Sequence, residues 1–213
     1  MTVIMYLVKR MKVTREQAAA NRERILEAAS TLFREHGLDG IGVADLMKSA
    51  GLTHGGFYGH FSSKEELVAQ ACARALEKGA QRWAARSLPE LVQSYLSRRH
   101  IENPGAGCAI ATLGSEIPRQ GPAVRRAVTR GLRAMFEVLA GLVPGRNARA
   151  RREKALAIYS SLVGGIVLAR AVDDPKLAGE ILSAVADYLP MVLSTGQRSA
   201  TGTRRLRTVT PMR

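Results

Sequence analysis

Apolar residues recur at helical spacing along nearly the whole chain, and no run alternates as a strand would. Ile25, Ala29, Leu32 and Phe33 form a stripe that stops before Gly37, and Thr14 with Gln17 offers a capping box at the other end. The spacing predicts a helix over 14–36. Val43, Leu46, Met47 and Ala50 follow i, i+3, i+4, i+7 and halt at Gly51, where a left-handed backbone can turn the chain. A third short helix is expected from His54 to His60. Ser62 with Glu65 and Ser63 with Glu66 then offer overlapping capping boxes for a fourth helix carrying Val68, Cys72, Ala75 and Leu76. Beyond Arg86 the punctuation is proline-based, with breaks at Asn103-Pro104-Gly105 and Pro118 and helix starts at Pro122 and Pro175. Val124, Val128, Leu132, Met135, Leu139 and Leu142 form one later stripe; Leu177, Ile181, Val185, Tyr188, Leu189 and Val192 form another. The fold class is all-α.

Composition changes this picture little. The 213 residues carry a net charge of +14, which favours a polyanionic partner through phosphate neutralisation. The charge is spread along the chain, with 13 basic against 9 acidic residues in 1–86 and 14 against 9 in 87–195. A solvated basic surface explains that as well as nucleic acid does, so a motif must carry the argument. Cys72 and Cys108 are too few for a disulfide framework and have no metal-binding spacing, which fits a reducing cytoplasm. Residues 1–13 read as a disordered leader, and 196–213 as a disordered basic tail. The longest uncharged stretch, Ala155 to Ala169, is too short for a bilayer and reads as a buried helix.

The segment LMKSAGLTHGGFYGHFSSKEEL, from Leu46 to Leu67, has the order of a helix-turn-helix. Its second helix is chemically odd. Gly55, Gly56 and Gly59 each cost about 1 kcal/mol of helix propensity against alanine, so something other than stability selects them. A bare face that lets backbone and side chains press into a major groove is one reason, and a simple loop is the alternative. Tyr58 suits a phosphate contact or packing against the first helix. Phe57 and Phe61 read as core.

From Ile25 onward the run ILEAASTLFREHGLDGIGVADLMKSAGLTHGGFYGHFSSKEEL resembles the N-terminal domain of the TetR/AcrR family of bacterial transcriptional regulators. The resemblance covers Arg22 to about Ala80. It implies that Thr53, His54, Gly56 and Tyr58 face DNA, with His60 and Lys64 at the backbone. Arg22 could reach a phosphate from the first helix, and Gly42 and Val43 belong with the DNA-facing set. Gly42 departs from the family, which commonly places a capping threonine there, leaving only backbone N–H groups to meet a phosphate.

The expected organisation is a helix-turn-helix domain at 14–62, a connecting helix at 63–86, and an effector-binding and dimerisation domain at 87–195. Tyr95, Met135, Phe136 and Tyr159 could line an apolar effector cavity, although core packing explains each singly. Cys108 opens an expected helix to Ile117 whose N-terminal dipole would favour the thiolate; an inert buried thiol is the alternative. Leu156, Val163, Gly164, Val167, Ile181, Val185, Tyr188 and Val192 are candidates for a two-fold interface. The expected function is a ligand-responsive repressor that binds a palindromic double-stranded DNA operator as a homodimer and is released by a small molecule. The alternative is a constitutive or architectural DNA-binding regulator. No cofactor or metal is expected, and enzyme signatures such as a P-loop, GxSxG or HExxH are missing from the sequence.

Overall fold

The computed structural model describes residues 14–194, with side chains to 190; the expected leader, the basic tail and the side chain of Val192 lie outside the described residues. Among the described residues all regular structure is helical: α1 Arg15–His36, α2 Val43–Ser49, α3 Lys64–Ala84, α4 Leu88–Tyr95, α5 Arg98–Glu102, α6 Ala109–Leu113, α7 Pro122–Leu142, α8 Ala148–Ala171 and α9 Pro175–Ser194. Short 3-10 turns occupy His54–Gly59, Pro104–Ala106 and Ile117–Arg119. The all-α expectation holds.

Local chemistry sets the boundaries. The Thr14 hydroxyl accepts from the Gln17 N–H at 3.1 Å, while the Gln17 amide donates to Asn21 at 2.9 Å, so only half of the capping box forms. Gly37 ends α1 at φ +80, a backbone that side-chain-bearing residues adopt only under strain. Gly51 ends α2 at φ +69. There Leu52 donates to the Met47 carbonyl and Gly51 to that of Lys48, the paired bonds of a Schellman cap. At α3 the Ser63 hydroxyl accepts from the Glu66 N–H, but the Glu66 carboxylate reaches back to Ser62, whose N–H donates at 2.8 Å. The box therefore straddles two serines.

The chain packs as two compact units. The N-terminal unit holds the described residues up to 79 together with Asn103–Arg133, and the other holds Ala80–Glu102 with the described residues from Ala134. Residues 103–133, which the sequence grouped with the effector domain, are thus held by the first unit. Arg34 of α1 donates from Nε to the Gly105 carbonyl at 2.8 Å, and the Leu38 N–H donates to Glu116 at 2.7 Å. Charge-assisted bonds of this kind are worth about 1.5–3 kcal/mol each. Where α7 crosses α3, Gly131 lies so close to Leu76 that a β-carbon would overlap it.

In the second unit, Trp83, Tyr95, Phe136 and Tyr159 form an edge-on aromatic cluster with centroid separations of 5.3–5.6 Å. α8 and α9 pack along each other. At 24 residues, α8 is by length and composition long and apolar enough to cross a membrane, longer than its uncharged stretch suggested. Its Ala155, Ile158, Tyr159, Leu162, Ile166 and Ala169 are nevertheless buried within the fold.

Candidate nucleic-acid interface

The helix-turn-helix is built from α1, α2 and the 3-10 turn His54–Gly59. The expected third α-helix is therefore a 3-10 helix of six residues. Three glycines in six residues forfeit the propensity that would sustain an α-helix, and tertiary anchoring supplies the order instead. Phe57 is completely buried, stacks on Phe61 at 5.8 Å and holds the turn against the core. The next residue, Tyr58, is 73% exposed. One turn thus carries its anchor and its probe on opposite faces.

Thr53, His54, Gly55 and Gly59 are exposed beside Tyr58, while Gly56 and His60 are half-buried. A β-carbon added at Gly55 or Gly59 would meet nothing within 4 Å. Nothing inside the unit requires glycine at those two positions. Gly56 differs, since a β-carbon there would lie 3.5 Å from Met47, in ordinary contact. Gly42 caps α2 without a side-chain bond and is exposed, with Val43 half-buried behind it. Lys64 begins α3 and is half-buried.

Arg22 sits differently from the sequence expectation. Its guanidinium lies 4.4 Å over the Phe61 ring, donates to Gln70 at 2.8 Å and pairs with Glu66 at 3.3 Å. A phosphate would have to compete with these partners. Glu66 in turn is held below the usual carboxylate range, chiefly by its hydrogen bonds from Ser62, with the Arg22 charge contributing. Arg22 and Glu66 tie α1 to α3 next to the His54–Gly59 turn, a positioning role that carries no local sequence signal.

The other expected sites divide by unit. Tyr95, Met135, Phe136 and Tyr159 all belong to the C-terminal unit, where Tyr95, Met135 and Tyr159 are buried and Phe136 packs edge-on against Tyr159. Cys108 belongs to the other unit. The helix expected from Cys108 to Ile117 is shorter: Cys108 is the N-cap of the five-residue α6, after which the chain tightens into a 3-10 bond from the Glu116 N–H to the Leu113 carbonyl. The dipole argument for a thiolate weakens accordingly. Cys72 is buried, and desolvation pushes its thiol up to about 11, which makes it inert at neutral pH.

Of the expected interface residues, Leu156, Val167 and Tyr188 are exposed, joined by Leu168 and Leu177, while Val163, Ile181 and Val185 are half-buried. The two glycines of α8 separate cleanly. A β-carbon at Gly165 would press on Leu96 and Val185 at 3.3 Å, whereas one at Gly164 would meet open space.

Residues 25–71 match the family model described as bacterial regulatory proteins of the tetR family. The repressor KstR2 of Mycolicibacterium smegmatis is 42% identical over 55 residues, 26% of this chain and 27% of that protein. The regulator TtgR of Pseudomonas putida is also 42% identical over 55 residues, covering 26% of each. The matched segment spans about a quarter of these relatives' length. Among solved structures, a TetR transcriptional regulator from Chloroflexus aurantiacus is 27% identical, with a TM-score of 0.64 over 82% of this chain and 96% of its own. The reduced form of Escherichia coli NemR has a TM-score of 0.68 at 19% identity, over 83% of this chain and 98% of its own, a likeness of fold. The described fold is all-helical with an N-terminal helix-turn-helix segment. Residues 25–71 thus carry the match to the tetR family of bacterial regulatory proteins, and the chain as a whole shares the fold of solved TetR regulators.

Proposed function

We propose that the protein is a ligand-responsive transcriptional repressor that binds a palindromic operator as a homodimer and is released by a small effector. The carrying observation is the His54–Gly59 turn. Its buried Phe57 fixes the backbone while Tyr58, His54 and two unobstructed glycines face outward, an arrangement suited to close approach in a groove. Tyr58 and Lys64 serve as phosphate anchors, and Thr53 and His54 reach base edges. Gly42 and Val43 offer backbone N–H groups at the start of α2. Arg22 acts by positioning α3.

One reading turn contacts too few base pairs for useful specificity, and a two-fold dimer supplies the second. The exposed Leu156, Val167, Leu168, Leu177 and Tyr188 lie on α8 and α9, and Gly164 leaves room for a partner helix. In the same unit, a cleft of about 460 Å³ opens between α4 and α9, lined mainly by apolar residues including Leu88, Val92, Leu96, Leu182 and Leu189. That is the size of a small-ligand site. It suits an apolar effector better than the Tyr95, Phe136 and Tyr159 cluster, which fills its own space. An effector that prefers a conformer with mismatched reading turns shifts the dimer off DNA.

Selection of bound sequences from random DNA, followed by footprinting and sedimentation, tests the reading. Two inverted half-sites protected by a dimer are expected. A stable monomer at micromolar concentration, or protection of a single unrepeated half-site, overturns it.

A further inference from the structure

The charges in the N-terminal part of α7 are placed against the helix. Arg125 and Arg126 stand at its N-terminal end, where the macrodipole disfavours cations, and that turn holds no acidic residue. Arg130 follows Arg126 at i+4 and Arg133 follows Arg130 at i+3, like-charge spacings that repel. All four arginines are exposed. Among the described residues none of their side chains has an ion pair or hydrogen-bond partner. Together with Pro122 and Thr129 they line an open cleft of about 500 Å³. The opposite face of the helix buries Val124, Ala127 and Val128. The arginines thus form a comb on one face, with no ion pair to an acidic side chain among the described residues.

We propose that this comb binds the phosphodiester backbone of duplex DNA, adding sequence-independent contacts to those of the reading turn. The proposal rests on the operator-binding reading above. Three observations select DNA over a compact anion or an acidic protein. Four charges strung over nine residues span about 12 Å, a spacing that follows a line of phosphates rather than converging on one group. The comb belongs to the same compact unit as the helix-turn-helix. The residue before α7, Gly121, lies directly against Glu65 in the first turn of α3, beside Lys64, the proposed phosphate anchor. The comb therefore starts next to the first turn of α3, with the Glu65 carboxylate at the junction.

The test is the salt dependence of binding to a duplex of about 40 base pairs carrying the selected site, roughly twice the length two half-sites occupy. The variant with Arg125, Arg126, Arg130 and Arg133 all changed to Gln is compared with wild type and with the corresponding four Arg→Lys changes. With two combs in the dimer, loss of two to four phosphate contacts from each lowers the slope of log K against log salt by about 4 to 7. The Gln variant is expected to show that drop with its preferred sequence and thermal stability retained, and the Lys variant to keep the wild-type slope. An unchanged slope in the Gln variant overturns the comb and leaves operator binding standing. A slope lost equally in the Lys variant also overturns it, because charge would not be the cause. Wild-type protein that binds no duplex sinks the operator reading itself. Weaker binding of heparin or inorganic pyrophosphate by the Gln variant, with DNA binding untouched, reassigns the comb to another anion and overturns the proposal.

Discussion

The two units use glycine and exposed apolar or aromatic residues in opposite ways. In the reading turn, Gly55 and Gly59 face open space beside a single exposed tyrosine, and the rest of the exposed surface there is polar. On α8 and α9, Gly164 faces open space among several exposed aliphatic residues, while Gly165 is packed shut by Leu96 and Val185. Bare backbone ringed by polar groups suits a hydrated polyanion, and bare backbone ringed by leucine and valine suits another helix. The same residue type therefore marks two kinds of partner, distinguished by its surroundings.

The largest effect comes from removing the anchor on which the first region depends. Phe57→Ala deletes a fully buried ring from a small unit and costs about 3–5 kcal/mol. Amide hydrogen exchange should lose protection through α1, α2 and the first half of α3, while α8 and α9 keep theirs. Equal loss in both regions would mean that the units do not fold separately and that the contrast is one of surface only.

Next comes the apolar face. Val167→Glu with Leu168→Glu places charge where a second copy should bury it, and should raise the dimer dissociation constant by about 100-fold, or about 3 kcal/mol. Both side chains are already exposed in the single chain, so the monomer's melting temperature should hardly move. Sedimentation equilibrium reads this; unchanged self-association would place the dimer contact elsewhere.

The smaller change at the reading turn sharpens the contrast, because stability and binding should move in opposite directions. Gly55 has no positive φ, so Gly55→Ala restricts the unfolded chain without strain and should stabilise the protein by about 0.4–1 kcal/mol. The added methyl stands where DNA must approach, and operator affinity should fall by about tenfold, the order of one good contact. Chemical denaturation and a binding titration on the same preparation measure both. If affinity is unchanged, the glycine face is not the docking face.

Much of the first region was legible in the sequence because its signals are local. Gly37 and Gly51 end helices, Thr14 and Ser63 cap them, and Phe57 and Phe61 read as core rather than as contacts. What was not legible depends on distance along the chain. Residues 103–133 join the N-terminal unit through Arg34 with Gly105 and Leu38 with Glu116, pairs separated by 71 and 78 positions, and no periodicity reports such a pair. The stack of Arg22 on Phe61 is equally non-local. The reading turn was expected as an α-helix since its flanks are regular, yet three glycines tightened it. The arginine comb was visible in principle at helical spacing; counting charge by sequence block averaged it away.

The smallest expected effect separates the regions by pH. His100 of the C-terminal unit lies edge-on to Tyr95 at 4.4 Å, and its Nδ1 lies 2.7 Å from the Tyr95 carbonyl. A carbonyl only accepts, so Nδ1 carries the proton in the neutral ring. Burial holds the imidazole below its ordinary pKa; the bond to Tyr95 opposes that, and the positive charges of Arg170 and Arg82 add to it. The unfolded chain therefore takes up a proton at His100 before the folded chain does. Stability contributed by the neutral ring is complete above the ordinary histidine range near pH 6.5 and declines as pH falls through it towards the folded value. Glu27 and Glu66, both held below 4.5 by their partners, lose their contributions only at lower pH, so the windows are separate. Urea midpoints measured from about pH 7.5 to about pH 5 should fall for wild type and fall less for His100→Gln. Hydrogen exchange over the same range should place the loss in α5 and α8, where Arg170 donates to the His100 and Ile101 carbonyls. An identical slope in the variant would assign the acid sensitivity to another group.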